Sequence, residues 1–285
     1  PPEASPVAAG STHAAQVTEQ NPRPDWTAGG EGAFAGDVNG DGYDDVITKQ
    51  GGGWWWSAPE VNLFTGSEEG LGSAPIWSPW RRGYWLKIAG VGDLNGDGFD
   101  DLAGSHQDGA GVFYGSADGP GDVFDWGGLA EANAAGDVNG DGYDDLQIYN
   151  WIFFGSPDGL DRTPGAFGSG NSTAEAIDVN GDGYEDVLRG EPYCCGYGVP
   201  GYVYGFLGDP QGLATTPHWV SWQIGGGQFS AGGDVNADGF DDVLVSKRLS
   251  YLSASETLAF YGTAAGLRET RVLTRHTDQL PAIDG

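Results

Sequence analysis

The sequence predicts an all-β fold, a β-propeller of four-stranded blades, and three observations carry that prediction. The first is a nine-residue motif present five times: DVNGDGYDD (37–45), DLNGDGFDD (93–101), DVNGDGYDD (137–145), DVNGDGYED (178–186) and DVNADGFDD (234–242). The second is a turn-like segment after each motif: LFTGSEEGL (63–71), FYGSADGP (113–120), FFGSPDGL (153–160), FLGDPQGL (206–213) and FYGTAAGL (260–267). The third is an aromatic residue before each motif. Trp26, Trp80, Trp126, Phe167 and Trp222 stand 11, 13, 11, 11 and 12 residues ahead of the next first Asp.

The motifs start at 37, 93, 137, 178 and 234, so the intervals are 56, 44, 41 and 56 residues. Periods of this length belong to solenoids or propellers. Each unit reads in the same order. Strand A ends at the first Asp and the motif turns the chain into strand B, as in Val46-Ile47-Thr48 and Val243-Leu244-Val245. A hairpin leads to strand C, as in Gly111-Val112-Phe113-Tyr114 and Trp151-Ile152-Phe153-Phe154. The GS-x-x-GL segment then turns into strand D, which ends in the aromatic residue. No segment sustains a 3.6-residue apolar period, so no substantial helix is expected. Gly is 52 of 285 residues, far above the usual ~7%, as many tight turns require. Four strands per unit make a propeller blade.

The motif alternates oxygen-bearing side chains with spacers. In the first copy Asp37, Asn39 and Asp41 can converge as the chain curls, Gly42 permits the sharp turn, Tyr43 offers its backbone carbonyl and Asp45 closes the shell. The equivalent sets are Asp93, Asn95, Asp97, Phe99 and Asp101, then Asp137, Asn139, Asp141, Tyr143 and Asp145. The last two are Asp178, Asn180, Asp182, Tyr184 and Asp186, and Asp234, Asn236, Asp238, Phe240 and Asp242. Hard oxygens at positions 1, 3, 5, 7 and 9 suit Ca²⁺, which takes six to eight oxygens flexibly, better than Mg²⁺ with its tight octahedron. Zinc is disfavoured because no copy holds Cys or His. For one copy a metal-free Asx-rich turn is the competing reading. Five copies with Asp at positions 1, 5 and 9 outweigh it. An EF-hand is disfavoured because its loop has twelve residues, ends in Glu and lies between helices.

These motifs and their spacing resemble the FG-GAP repeat family, the calcium-loop propellers of integrin α-chains and many bacterial secreted proteins, over roughly residues 26–267. The resemblance implies a calcium-stabilised propeller. Such propellers usually have seven blades, whereas this chain has room for five complete units. We read residues 26–285 as the propeller. Residues 1–25 are an extension that closes the ring, joins an incomplete sixth blade with the C-terminal residues, or is donated to a neighbouring subunit.

The formal charge is −29, and five dications would leave about −19. Without metal each loop gathers three like charges, so calcium is expected to be needed for folding. At free calcium ten times the dissociation constant each site contributes roughly 1.4 kcal/mol, about 7 kcal/mol for five. The residual acidity argues against nucleic acid and anionic membranes as partners. No apolar stretch approaches the ~18 residues needed to span a bilayer. The chain has no Met and begins Pro-Pro-Glu-Ala, which predicts a mature chain freed of a signal peptide. Weak calcium sites are useful only outside the cytosol, so an extracellular or cell-surface location is expected. Cys194 and Cys195 are adjacent, and we expect either a strained vicinal disulfide, an intermolecular bridge or free thiols. Asn171-Ser172-Thr173 is a glycosylation sequon.

Loops that break the repeat are the better candidates for ligand contact. The B–C connections are long at 51–60, 191–202 and 247–257, and nearly vanish at Tyr149-Asn150. Trp54, Trp55 and Trp56 cannot all face one core, because neighbours on a strand alternate sides. With Tyr193 and Tyr197 they are the candidate ligand-binding residues, for a glycan or an extracellular protein. The four histidines (His13, His106, His218, His276) fall in different units, and no nucleophile elbow, zinc signature or phosphate loop is present. The expected function is a binding or adhesion module without catalysis. The alternative is a structural subunit that self-assembles through the N-terminal segment.

Overall fold

The computed structural model describes residues 26–51, 59–79, 85–106, 109–121, 126–127, 132–149, 151–167, 174–190, 202–222, 228–248 and 255–276. Among them there is no helix, and the strands form five antiparallel meanders in chain order.

Sheet 1 holds β1 (Glu31–Gly36), β2 (Asp45–Gln50) and β3 (Glu60–Phe64), and an isolated bridge from Leu63 to Trp77 stands where a fourth strand would. Sheet 2 holds β4 (Trp85–Gly92), β5 (Asp101–His106), β6 (Gly109–Phe113) and β7 (Trp126–Gly127). Sheet 3 holds β8 (Ala132–Gly136), β9 (Asp145–Ile148), β10 (Trp151–Phe153) and β11 (Ala166–Phe167). Sheet 4 holds β12 (Ala174–Ile177), β13 (Asp186–Gly190), β14 (Tyr202–Phe206) and β17 (Trp219–Trp222). Its C–D turn is a small hairpin of β15 (Gly208–Asp209) and β16 (Gly212–Leu213). Sheet 5 holds β18 (Gln228–Gly233), β19 (Asp242–Arg248), β20 (Ser255–Tyr261) and β21 (Arg268–His276).

The nine-residue motif is the A–B turn of every sheet, so the predicted strand order is the observed one. The segments Val46–Thr48, Trp151–Phe153 and Val243–Val245 lie in strands B, C and B as expected. The short B–C connection of sheet 3 is also found: Ile148 pairs with Trp151 across Tyr149 and Asn150, with Tyr149 at φ 53°.

The first strands of consecutive sheets touch in series, β1 on β4, β4 on β8, β8 on β12 and β12 on β18. The core divides in the same way. One cluster joins sheets 1 and 2 (Val38, Ile47, Leu63, Ile88, Phe113) and the next joins sheets 2 and 3 (Leu94, Val112, Leu146, Phe153). A third joins sheets 3 and 4 (Val138, Ile152, Val187, Phe206), and a fourth joins sheets 4 and 5 (Val179, Leu188, Val245, Phe260). A meander buries only what the next sheet covers, so stability accumulates junction by junction.

Aromatic edges seal these junctions. Trp77 of sheet 1 packs edge-on against Phe113 of sheet 2 at 5.1 Å, and Trp219 of sheet 4 does the same to Phe260 of sheet 5. Trp26 makes this contact with Phe64 at 5.0 Å. Trp126, Phe167 and Trp222 are set on strand D opposite Ala110, Trp151 and Tyr202, and Trp80 lies outside the described residues. In sheets 1 and 4 the tryptophan across the junction faces the residue three before the GS-turn position, Leu63 or Gly205.

Candidate metal loops and the face opposite them

Each loop is held by its own side chains. Asp37 accepts from the backbone N–H of Asp41 at 2.9 Å and of Gly42 at 2.8 Å. Asn39 accepts from the Asp41 N–H and donates its amide to the Asp41 carboxylate at 2.9 Å. Asp41 accepts from the Tyr43 N–H at 3.0 Å. The same Asn–Asp bridge recurs at Asn95, Asn139 and Asn180. Asn236 has no such described bond, although Asp234 still accepts from Asp238 and Gly239. The sixth-position glycines sit at φ 88–92°, where a Cβ is strained. Positions 1, 3 and 5 are thereby brought together at the surface end of each turn.

Position 9 is different. Asp45, Asp101, Asp145, Asp186 and Asp242 are buried, each 0–1% exposed. Each carboxylate accepts one bond from its own loop and one from the following C–D turn. Asp145 takes Val138 N–H at 3.0 Å and Gly155 N–H at 2.9 Å, and the other four repeat this with Gly66, Gly115, Gly208 and Gly262. The residue expected to close a metal shell therefore also clamps two turns together. Two hydrogen bonds leave lone pairs on both oxygens, so the two roles are compatible. Burial pushes Asp101 up to about 7, Asp145 to about 8 and Asp186 to about 7, opposed by the two backbone hydrogen bonds and aided by the like charges at positions 1 and 5.

Position 8 carries an acid in every copy, Asp44, Asp100, Asp144, Glu185 and Asp241, and is not among the expected metal ligands. Asp100 accepts from the backbone N–H of Asp37 in the preceding loop at 2.7 Å, and Asp144 does so from Asp93 at 2.8 Å. Burial raises both carboxyls. The only available signal was the recurrence of an acid at that position in all five copies.

Among the described residues, no three carboxylate, imidazole or thiol groups already form a metal cluster. The carboxylates are instead spaced by the Asn bridges and turned onto backbone N–H groups. No lysine or arginine is described in an ion pair with a loop acid, and the ion pair found is Lys49 with Glu31 at 3.3 Å. Repeated hard oxygens, the ninth-position ones buried, make a donor set that Ca²⁺ would satisfy. In each loop positions 1, 3, 5 and 9 would hold it by side chains and position 7 by its carbonyl. The ion would supply the missing positive charge.

The opposite ends of the strands carry different chemistry. Between sheets 1 and 2 lies a cavity of about 160 Å³, lined by Glu31, Ala33, Thr48, Lys49, Lys87 and Ile88. Lys87 donates to Asn133 of sheet 3. Arg189 is buried at the same end of β13, 3.5 Å from the Tyr149 carbonyl. Lys49, Lys87 and Arg189 are thus placed away from the acidic loops.

Trp54, Trp55 and Trp56, Tyr193 and Tyr197, the Cys194–Cys195 pair and Asn171 lie outside the described residues. His218 bonds the Ala265 carbonyl at 2.8 Å, across the junction between sheets 4 and 5. No family model matches the chain, and a search of curated proteins finds no match.

Proposed function

We propose that this chain is a calcium-stabilised β-propeller of the FG-GAP type, extracellular, that acts as a binding or adhesion module without catalysis of its own. The observation that carries this reading is the division of the molecule into two ends. At one end five near-identical acidic loops repeat the same clamp. At the other end the repeat breaks down, and a cavity with Lys49 and Lys87 opens between sheets 1 and 2. Regular parts build the scaffold and irregular parts select the ligand. A glycan or an extracellular protein would dock at that second end.

Screening the intact protein against glycans and extracellular proteins, with calcium and with chelator, tests the proposal. Calcium-dependent binding is expected. Failure to bind either class would remove the functional reading, and melting unaffected by chelation would remove the calcium reading. The second reading, a structural subunit assembling through residues 1–25, draws on the packing of Trp26 against Phe64. Deleting residues 1–25 would then change the particle size.

A further inference from the structure

The five loops share one pattern of oxygens but not one degree of support. In loops 1 to 4 the aromatic ring at position 7 of the next loop lies over the glycine at position 4. A Cβ on Gly40 would stand 2.6 Å from the Phe99 ring, and on Gly96 or Gly140 only 2.4 Å from Tyr143 or Tyr184. On Gly181 it would meet Phe240 at 3.0 Å. The next unit also holds the backbone at these loops. The N–H of Asp100, Asp144, Glu185 and Asp241 each donates to the first-position carbonyl of the preceding loop at 3.0–3.3 Å. The N–H of Ser116, Ser156 and Thr263 donates to the second-position carbonyls of Val38, Leu94 and Val179 at 3.0–3.1 Å. Accordingly the first-position aspartates Asp37, Asp93, Asp137 and Asp178 are half-buried, as are the asparagines two residues on.

Among the described residues the fifth loop has none of these supports. Val235 is 58% exposed, and Asp234 and Asn236 are exposed where their counterparts are half-buried. In the other four loops the asparagine amide is bonded to the fifth-position carboxylate at 2.8–3.0 Å, which fixes the spacing of two expected ligands. Asn236 has no such described bond to Asp238. Position 4 is Ala237 at φ 59°, where the other four loops have glycine at φ 69–71°. A side chain in this left-handed region is strained. With no neighbour to hold it, the metal-free fifth loop is free to leave that conformation, and ion binding has to restore it. Ligands that are already held bind more tightly, because binding then orders less of the chain. Exposed oxygens also attract a dication less strongly than half-buried ones, because water screens them.

We propose that the fifth loop, with Asp234, Asn236, Asp238, the Phe240 carbonyl and Asp242, is a low-affinity calcium site that empties before the other four. Its affinity is about tenfold weaker, the change that ~1.4 kcal/mol of left-handed strain brings. Sheet 5 then responds to a fall in calcium that leaves sheets 1 to 4 loaded. This inference rests on the calcium reading above and adds which loop is the responsive one.

Hydrogen exchange of the intact protein, read by mass spectrometry over a series of free calcium concentrations, tests it. Residues 234–242 should lose protection at about tenfold higher free calcium than residues 93–101, 137–145 and 178–186. Equilibrium dialysis should likewise show four tighter equivalents and one weaker. Ala237→Gly should tighten the weak equivalent severalfold, since glycine adopts the left-handed turn without strain. Asp238→Asn should remove the weak equivalent and leave the four tighter ones. Five loops that open together at one calcium concentration would overturn this inference and leave the calcium reading standing. A weak equivalent that persists in Asp238→Asn would do the same. No calcium uptake at any loop would overturn both.

Discussion

Loops 4 and 5 are near-copies, DVNGDGYED and DVNADGFDD, yet one is built into a junction and the other ends the series. Both bury the ninth-position aspartate and both clamp the C–D turn through it. They differ in what comes next. Val179 is covered by sheet 5 and accepts a bond at its carbonyl from Thr263, while Val235 is open. The comparison separates two jobs written into one motif. The clamp acts within a unit and needs no neighbour. The first, second, fourth, seventh and eighth positions act between units and mean something only where a neighbour exists.

The largest expected effect concerns what all loops share. Removing calcium should lower Tm by roughly 15 °C or more, since five sites at moderate saturation sum to about 7 kcal/mol. Calorimetry with and without chelator measures it, and an unchanged Tm would refute the calcium proposal. Next is the clamp. Asp145→Ala leaves two buried N–H groups unpaired and should cost about 2–5 kcal/mol. Asp242→Ala should cost a similar amount, despite its position in the terminal loop. A much cheaper Asp242→Ala in denaturant titrations would show that the clamp depends on the neighbour after all.

The pH dependence of the metal-free protein comes third. Asp101, Asp145 and Asp186 have folded values of about 7 to 8 against 3.8 unfolded. The folded state therefore holds more protons between these limits, and stability must fall as pH rises through that window. The metal-free Tm should be higher at pH 5 than at pH 8, and saturating calcium should flatten or reverse the trend. Smaller again is the junction contrast. Gly181→Ala forces a Cβ into αL geometry against the Phe240 ring and should cost about 1–3 kcal/mol. The smallest effect sharpens the comparison most. Val179→Ala should cost about 1–2.5 kcal/mol and Val235→Ala less than ~0.5 kcal/mol. Equal losses would mean that the fifth loop is covered in solution.

Much of the fold was legible because the motif repeats. Five copies located the A–B turns, and the segments between them, with no sustained 3.6-residue apolar period, read as strands. The strand order A to D followed from sequence neighbours pairing as hairpins. The register of strand D was not legible. Trp77 and Trp219, which the count back from the next motif did not single out, pack on the next sheet, and Trp26, which it did, packs on Phe64. The site was legible as a list of oxygens but not as a division of labour. Nothing in DVNGDGYDD says that its last Asp is buried against a glycine from 10 to 22 residues downstream, or that the acid before it reaches back to the previous unit.

The sequence by itself determined the repeating unit, its turn chemistry and its excess of negative charge, since these follow from local residue types and their spacing. Only the tertiary structure decided which of those residues act within a unit and which act between units. Burial and hydrogen-bond partners come from chain segments that sequence distance does not order. The glycine at position 4 shows the difference. Within one loop it permits a left-handed turn that alanine also adopts at position 237. Only the ring of the next sheet lying across it explains why four loops exclude a side chain there.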